Sequence, residues 1–178
     1  HNMYQTVQWS VIGPSNSWGG HPKGAHGFGI MFGRGQNSWH HNMIAHNISR
    51  NYRGKVPGTY VMDYVNNVIY DWGYQTAYGT HGHVNYVNNY FKAGNSTTGG
   101  YRYFTIDGSD RHKYRFYLTG NKILNKDGSI RNDVNNNWAD DVIDYSSTLN
   151  NDAVLDSNGN KLQKGYCKVD ERMPLYDY

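Results

Sequence analysis

Apolar residues recur in strand-like fashion over five stretches of this chain, at positions 4–12, 38–45, 60–70, 83–91 and 114–124. A period of two is the mark of a β-strand that sends alternate side chains into a core, so each stretch is predicted as one strand. In the second stretch, Trp39, His41, Met43 and Ala45 are expected on one face, and His40, Asn42, Ile44 and His46 on the other. No segment sustains the i, i+3, i+4 apolar spacing of an amphipathic helix, and Gly or Asn interrupts every candidate. The expected fold class is all-β.

The strands echo one another. Val65-Asn66-Asn67-Val68-Ile69-Tyr70 returns as Val87-Asn88-Asn89-Tyr90-Phe91. Asn67 and Asn89 are 22 residues apart, and Asn42 precedes Asn67 by 25. A strand-plus-turn unit repeated at roughly 20–30 residues predicts a solenoid, of which a parallel β-helix is one form. In such a stack, Asn at one corner of each coil donates its amide to one neighbour and accepts from the other, which satisfies groups that would otherwise be buried unpaired.

Gly-rich loops at 17–35, 94–101 and 157–165 separate the strands. Beyond Asn121 the repeat gives way to a polar, Asn/Asp-rich region. The expected organisation is therefore a set of β-helix coils over residues 1–124 and an irregular extension, 125–178, packed on them. Asp127-Gly128-Ser129 and Asp156-Ser157-Asn158-Gly159 have a faint likeness to calcium loops. Neither has the twelve-position ligand set or its closing Glu, so both are predicted as turns.

Composition adjusts this picture in two ways. Hydrophobic residues make up only 37% of the 178, but 17 Tyr, 5 Trp and 5 Phe supply large buried areas with polar tips. One domain with an aromatic core follows. The net charge of +3 is too mild for a dedicated nucleic-acid binder, and no apolar run reaches membrane-spanning length. The lone cysteine, Cys167, makes no intrachain disulfide. The chain opens at His1 already inside a strand pattern and is expected to be a piece of a longer protein, with neighbours missing at both ends.

Candidate chemistry centres on Arg50, Arg53 and Lys55, set among Asn51, Tyr52 and Gly54. Three clustered cations repel one another unless an anion sits among them. The aromatic and amide neighbours suit a carbohydrate or carboxylate partner, although a basic loop by itself is more often simply solvated. His40, His41, His46, His81 and His83 do not make a zinc site, because no Cys or Glu stands at metal spacing. Trp18, Trp39, Trp72 and Trp138 offer flat faces for sugar rings, with burial the commoner fate.

Several segments together resemble the family-1 polysaccharide lyases, the pectate lyases. They are Val7-Gln8-Trp9-Ser10-Val11-Ile12, His21-Pro22-Lys23-Gly24-Ala25-His26-Gly27-Phe28-Gly29, His40-His41-Asn42, Ser49-Arg50-Asn51-Tyr52-Arg53, Asn66-Asn67-Val68-Ile69-Tyr70-Asp71-Trp72-Gly73, and the stretch from Val84 to Gly94. The likeness covers about the first hundred residues, and the H-H-N … S-R-x-x-R element carries most of it.

The resemblance implies a right-handed parallel β-helix that cleaves polygalacturonate by calcium-dependent β-elimination, in an extracellular or periplasmic setting. It implies Arg50 as the Brønsted base, Lys23 as a substrate-binding lysine, and Arg53 and Lys55 as cations for uronate carboxylates. His46, four residues before Arg50, joins the substrate-binding set. Two departures from the family stand out. Tyr52 occupies the place where relatives usually carry Pro. The acidic calcium ligands of the family belong to coils before the Val7–Ile12 stretch, so a second chain is expected to supply those coils.

In the reaction a proton leaves C5 of a galacturonate and the C4 oxygen is expelled, so carboxylate charge must be neutralised next to a base. The alternative from another class is a β-helix that binds acidic polysaccharide, or serves structurally, without cleaving it. Pectin lyase action on esterified substrate is disfavoured by the Lys/Arg set.

Overall fold

The computed structural model describes residues 4–33, 35–55, 60–107, 111–145 and 155–175. Fifteen strands follow in chain order: β1 (Tyr4–Gln8), β2 (Val11–Ile12), β3 (Gln36–His40), β4 (Met43–Ala45), β5 (Tyr52–Lys55), β6 (Val61–Val65), β7 (Val68–Tyr70), β8 (Ala77–Thr80), β9 (His83–Val87), β10 (Tyr90–Lys92), β11 (Phe104–Ile106), β12 (Arg115–Thr119), β13 (Lys122–Leu124), β14 (Ile130–Asn132) and β15 (Ile143–Asp144). The described residues contain no α-helix, only a 3-10 turn at Arg111–Lys113, and no helix long and apolar enough to cross a membrane.

Three sheets take these strands in rotation. The first runs β1-β3-β6-β9-β12, the second β14-β13-β10-β7-β4-β2, and the third β15-β11-β8-β5. All pairings are parallel except β13 with β14. From β3 to β11 each pass contributes one strand to each sheet in the same order, so equivalent residues stack in columns: Trp39, Tyr64 and Tyr86, or Ile44, Ile69, Phe91 and Ile123.

The five long strands expected from alternation are each two strands that meet at a corner. The residue at each corner has left-handed backbone: Trp9 (φ 54°), His41 (φ 56°), Asn66 (φ 54°), Asn88 (φ 53°) and Gly120 (φ 69°). A left-handed residue turns the chain out of one sheet and ends the alternation. The expected faces of residues 39–46 therefore fail: Ile44 and Ala45 are both buried, while Met43 is exposed. At four of the five corners the next residue is a buried Asn, namely Asn42, Asn67, Asn89 and Asn121, which hides the break in the sequence pattern.

Those asparagines form a continuous ladder. The Nδ2 of Asn42 donates to Asn67 Oδ1, that of Asn67 to Asn89, that of Asn89 to Asn121 and that of Asn121 to Asn137, at 2.9–3.1 Å. Each Oδ1 also accepts a backbone N–H from the preceding Asn of the column. Donor and acceptor capacity is used on both sides, as a buried amide requires.

Inside the sheets lies an aromatic core. Tyr52, Tyr64, Tyr86, Phe91, Phe104 and Phe116 are almost wholly buried. Tyr64 stacks on Tyr86 at 5.0 Å between centroids, and Phe104 on Phe116 at 4.0 Å. Residues beyond 124 join this framework: β14 and β15 extend two sheets, and Cys167 is buried with its carbonyl accepting from Phe116 N–H. Farther on, Arg172 pairs with Asp63, and Met173 exchanges two hydrogen bonds with the Asn85 side chain. The two calcium-like loops are turns closed by their own aspartates, Asp127 accepting from Ser129 and Asp156 from Asn158 and Asn160.

Candidate functional site

The site is built at the β5 edge of the third sheet. Residues 28–33 run beside β5, with parallel bridges Phe28 to Ser49 and Phe32 to Gly54. The contact is close: a Cβ on Gly29 would stand 2.7 Å from the Arg50 carbonyl oxygen, so only glycine fits there. This backbone pairing brings the segment holding Lys23 and His26 alongside the segment holding Arg50 and Arg53. Arg53 and Lys55, expected in a loop, lie within β5.

Arg50 has left-handed backbone (φ 58°), which costs a non-glycine residue on the order of 1 kcal/mol or more. Gln75 occupies the same place one pass later, by the register of β5 with β8, and lacks that conformation. The turn aims the Arg50 guanidinium across Phe28, with Cζ 4.0 Å from the ring centroid. Its Nε donates to the Tyr78 hydroxyl at 2.9 Å. Arg53 lies over the other partner of this arrangement, its Cζ 5.0 Å from the Tyr78 centroid. Arg53 Nε is buried with no hydrogen-bond partner among the described residues.

Tyr52 stands where a proline was expected from the resemblance, and packing holds it in place instead. Its ring is fully buried and stacks on His81 at 5.3 Å. His81 is likewise a core residue, Nε2 lying 2.8 Å from the Thr105 carbonyl, and burial drives its pKa down to about 4.

Lys23 is exposed, its backbone N–H bonded to His21 Nδ1 at 3.1 Å. His21 and His26 stack face to face at 3.9 Å, and His26 meets Phe28 at 4.0 Å. Desolvation, and then the charges of His21, Arg50 and Lys23, push the His26 pKa below its ordinary 6.5. Lys55 is exposed at the end of β5, two residues beyond Arg53 and so on the same side of the strand. Lys23, Arg50, Arg53 and Lys55 have no carboxylate within ion-pair distance among the described residues.

His46 serves a different corner. Its Nδ1 lies 2.9 Å from Asp71 Oδ2, and its ring meets Tyr70 edge-on. Asp71 also accepts from the Ser96 N–H at 2.7 Å and hydroxyl at 3.0 Å. Burial opposes ionisation of Asp71, but these hydrogen bonds, together with the His46 charge, hold its pKa below 3.8.

A groove of about 710 Å³ continues from Tyr78 over the third sheet, lined among others by Gln75, Arg102, Thr105, Arg131 and Asp144. Arg102 pairs with Asp144 and Arg131 with Asp141. Phe28, Tyr78 and His26 carry no signal of their own in the sequence. Tyr78 is 28 residues from Arg50, and only the register of β5 with β8 brings it there.

No calcium seat is evident among the described residues. Among the described residues no three His, Cys, Asp or Glu side chains stand together, and both acids beside the groove are committed to arginines. The chain matches no family model and no curated protein.

Proposed function

We propose that this chain is the cleft-bearing part of a secreted, right-handed parallel β-helix that cleaves polygalacturonate by β-elimination. The observation that carries the reading is the convergence of Arg50 and Arg53 on Tyr78, cations without a carboxylate partner among the described residues. A chain of uronates supplies one carboxylate per sugar, which suits a row of fixed cations. Arg50 is the proposed catalytic residue, in contact with the scissile uronate. Lys23, Arg53 and Lys55 hold carboxylates alongside it, and His46 supports the set from the adjoining corner. Calcium, which the resemblance implies, would be held by groups outside the described residues, on a second chain that completes the N-terminal coils.

The test is ultraviolet detection of unsaturated uronides released from polygalacturonate, by the wild type and by Arg50→Ala, with calcium and with a chelator. Product from the wild type alone supports the lyase. Product that persists in Arg50→Ala removes Arg50 from the reaction.

A second reading, binding of acidic polysaccharide without cleavage, is favoured by one observation. Stacking on Phe28 and donation to Tyr78 fix the orientation of the Arg50 guanidinium, which is how a carboxylate clamp is built. Binding without unsaturated product is its signature.

A further inference from the structure

In a regular strand His40 and His41 would face opposite ways. The corner between β3 and β4 reverses this. His41 has left-handed backbone (φ 56°), which breaks the alternation and lets its ring turn back beside that of His40. The Nδ1 atoms of the two rings stand 2.9 Å apart, with the ring planes at 89°. The neighbouring passes hold His41 from both sides. Trp9, at the same corner one pass earlier, stacks on it with centroids 4.5 Å apart and planes at 23°. Asn66, at the same corner one pass later, places its Nδ2 3.3 Å from His41 Nε2. His41 is exposed and His40 half-buried, so an ion in solution can reach the pair.

Two ring nitrogens this close either share one proton in a hydrogen bond or offer both lone pairs to a metal ion. The distance selects the metal. Donors 2.9 Å apart, each about 2.0–2.1 Å from an ion, subtend about 90° at it, whereas a tetrahedral zinc centre needs them about 3.3 Å apart. A right angle is the cis angle of tetragonal copper(II) or nickel(II), and of these copper binds nitrogen donors more tightly. When a metal takes the His41 Nδ1 lone pair, the ring proton sits on Nε2. The Asn66 amide, which carries an oxygen as well as an NH2, then accepts from it and fixes the tautomer.

We propose that His40 and His41 form a two-histidine site for a tetragonal divalent transition metal, copper(II) above all, with water completing the coordination. The site lies at the corner between the first and second sheets. It uses none of the Arg50 cluster and stands whether or not the chain is a lyase.

The experiment titrates copper(II), nickel(II) and zinc(II) into wild type, His40→Gln and His41→Asn, followed by calorimetry and, for copper, by electron paramagnetic resonance. Asn suits the left-handed corner, as Asn66 and Asn88 show, so His41→Asn keeps the backbone. Wild type is expected to bind copper more tightly than nickel, and nickel more tightly than zinc, at a site that both variants weaken by roughly 100-fold or more, the gain that a second tethered ligand brings. Its resonance signal should be tetragonal, with splitting from two imidazole nitrogens that each variant reduces. Copper bound there should also quench the stacked indole, and that part of the quenching should be missing in Trp9→Phe, which keeps a ring on His41. Circular dichroism checks that each variant is folded; if His40→Gln is not, the exposed His41→Asn decides alone. Wild type and variants taking up copper alike would place the metal on other histidines and overturn the proposal. So would a wild-type preference for zinc over copper at this pair.

Discussion

Asn67 and Asn89 lie 22 residues apart in the chain and share two hydrogen bonds, the Asn89 Oδ1 accepting the Asn67 backbone N–H at 3.0 Å and its Nδ2 at 3.1 Å. Asn89 Nδ2 in turn donates to the Tyr64 carbonyl at 2.8 Å and to Asn121 Oδ1 at 2.9 Å. The corner of one pass is thus the hydrogen-bonding partner of the next.

Asn89→Ala removes the middle of this ladder and strands the two Asn67 donors in a dry interior. Each unsatisfied buried group costs about 1–3 kcal/mol, so a loss of about 3 kcal/mol is expected in denaturant unfolding. Asn88→Ala, at the exposed neighbouring position, should cost about 1 kcal/mol, from placing alanine at a left-handed φ of 53°. Equal losses would mean that the corner is held by backbone geometry and not by the amides.

The ladder shows how far the sequence is legible. Asn67 and Asn89 stand out through a repeated Val-Asn-Asn, and Asn42 through a near-constant offset from them. Asn121 follows Gly120 and not a second polar residue, and Asn137 arrives after only 16 more residues, so neither repeats the signal. The third sheet is hidden for another reason. Its strands are short, with Arg53 and Lys55 outward and Gly54 opposite Gly79, so Tyr52–Lys55 and Ala77–Thr80 read as loop. The cations at 50, 53 and 55 are visible as charge, but the rings that orient them come from other passes, and contacts across passes leave no local pattern.

Gly79 lies directly opposite Gly54 in the third sheet, with φ at 115°, a conformation that favours glycine. A Cβ there would stand 2.3 Å from the Gly54 carbonyl oxygen, which is backbone and has no rotamer by which to retreat. Gly79→Ala is expected to destabilise by about 2–4 kcal/mol, from strain and overpacking together. Because Gly79 adjoins Tyr78, affinity for oligogalacturonate should fall as well. Unchanged thermal unfolding would show that the strand pair separates freely there.

Asp71 predicts an acid limit to stability. Its pKa is below 3.8 in the folded protein, so the unfolded chain binds more protons in that range. The stabilisation is fully present above 3.8 and is lost as pH falls through the folded value. Asp71→Asn should flatten the acid side of the stability–pH curve. It should also lower stability near neutrality by about 1–3 kcal/mol, since a weaker acceptor is left for the Ser96 N–H and hydroxyl. Parallel acid curves for the two proteins would assign the transition to other carboxylates.

Tyr78 joins the two arginines and lets its two functions be separated. The hydroxyl accepts from Arg50 Nε at 2.9 Å, and the ring face lies 5.0 Å below Arg53 Cζ. Tyr78→Phe keeps the face and removes the acceptor, and as the residue is only half-buried the fold should change by about 0.5 kcal/mol or less. Affinity for an oligogalacturonate should fall about three- to tenfold, the net worth of one ordinary hydrogen bond, because Arg50 loses the contact that aims it. Tyr78→Ala removes the ring as well and should weaken binding further, by the value of a half-exposed cation–π contact, about 0.5–1 kcal/mol. Calorimetric titration of the three proteins measures both steps. A Phe variant that binds like wild type would leave Phe28 alone as the support for Arg50, and the hydroxyl would then have no part in the site.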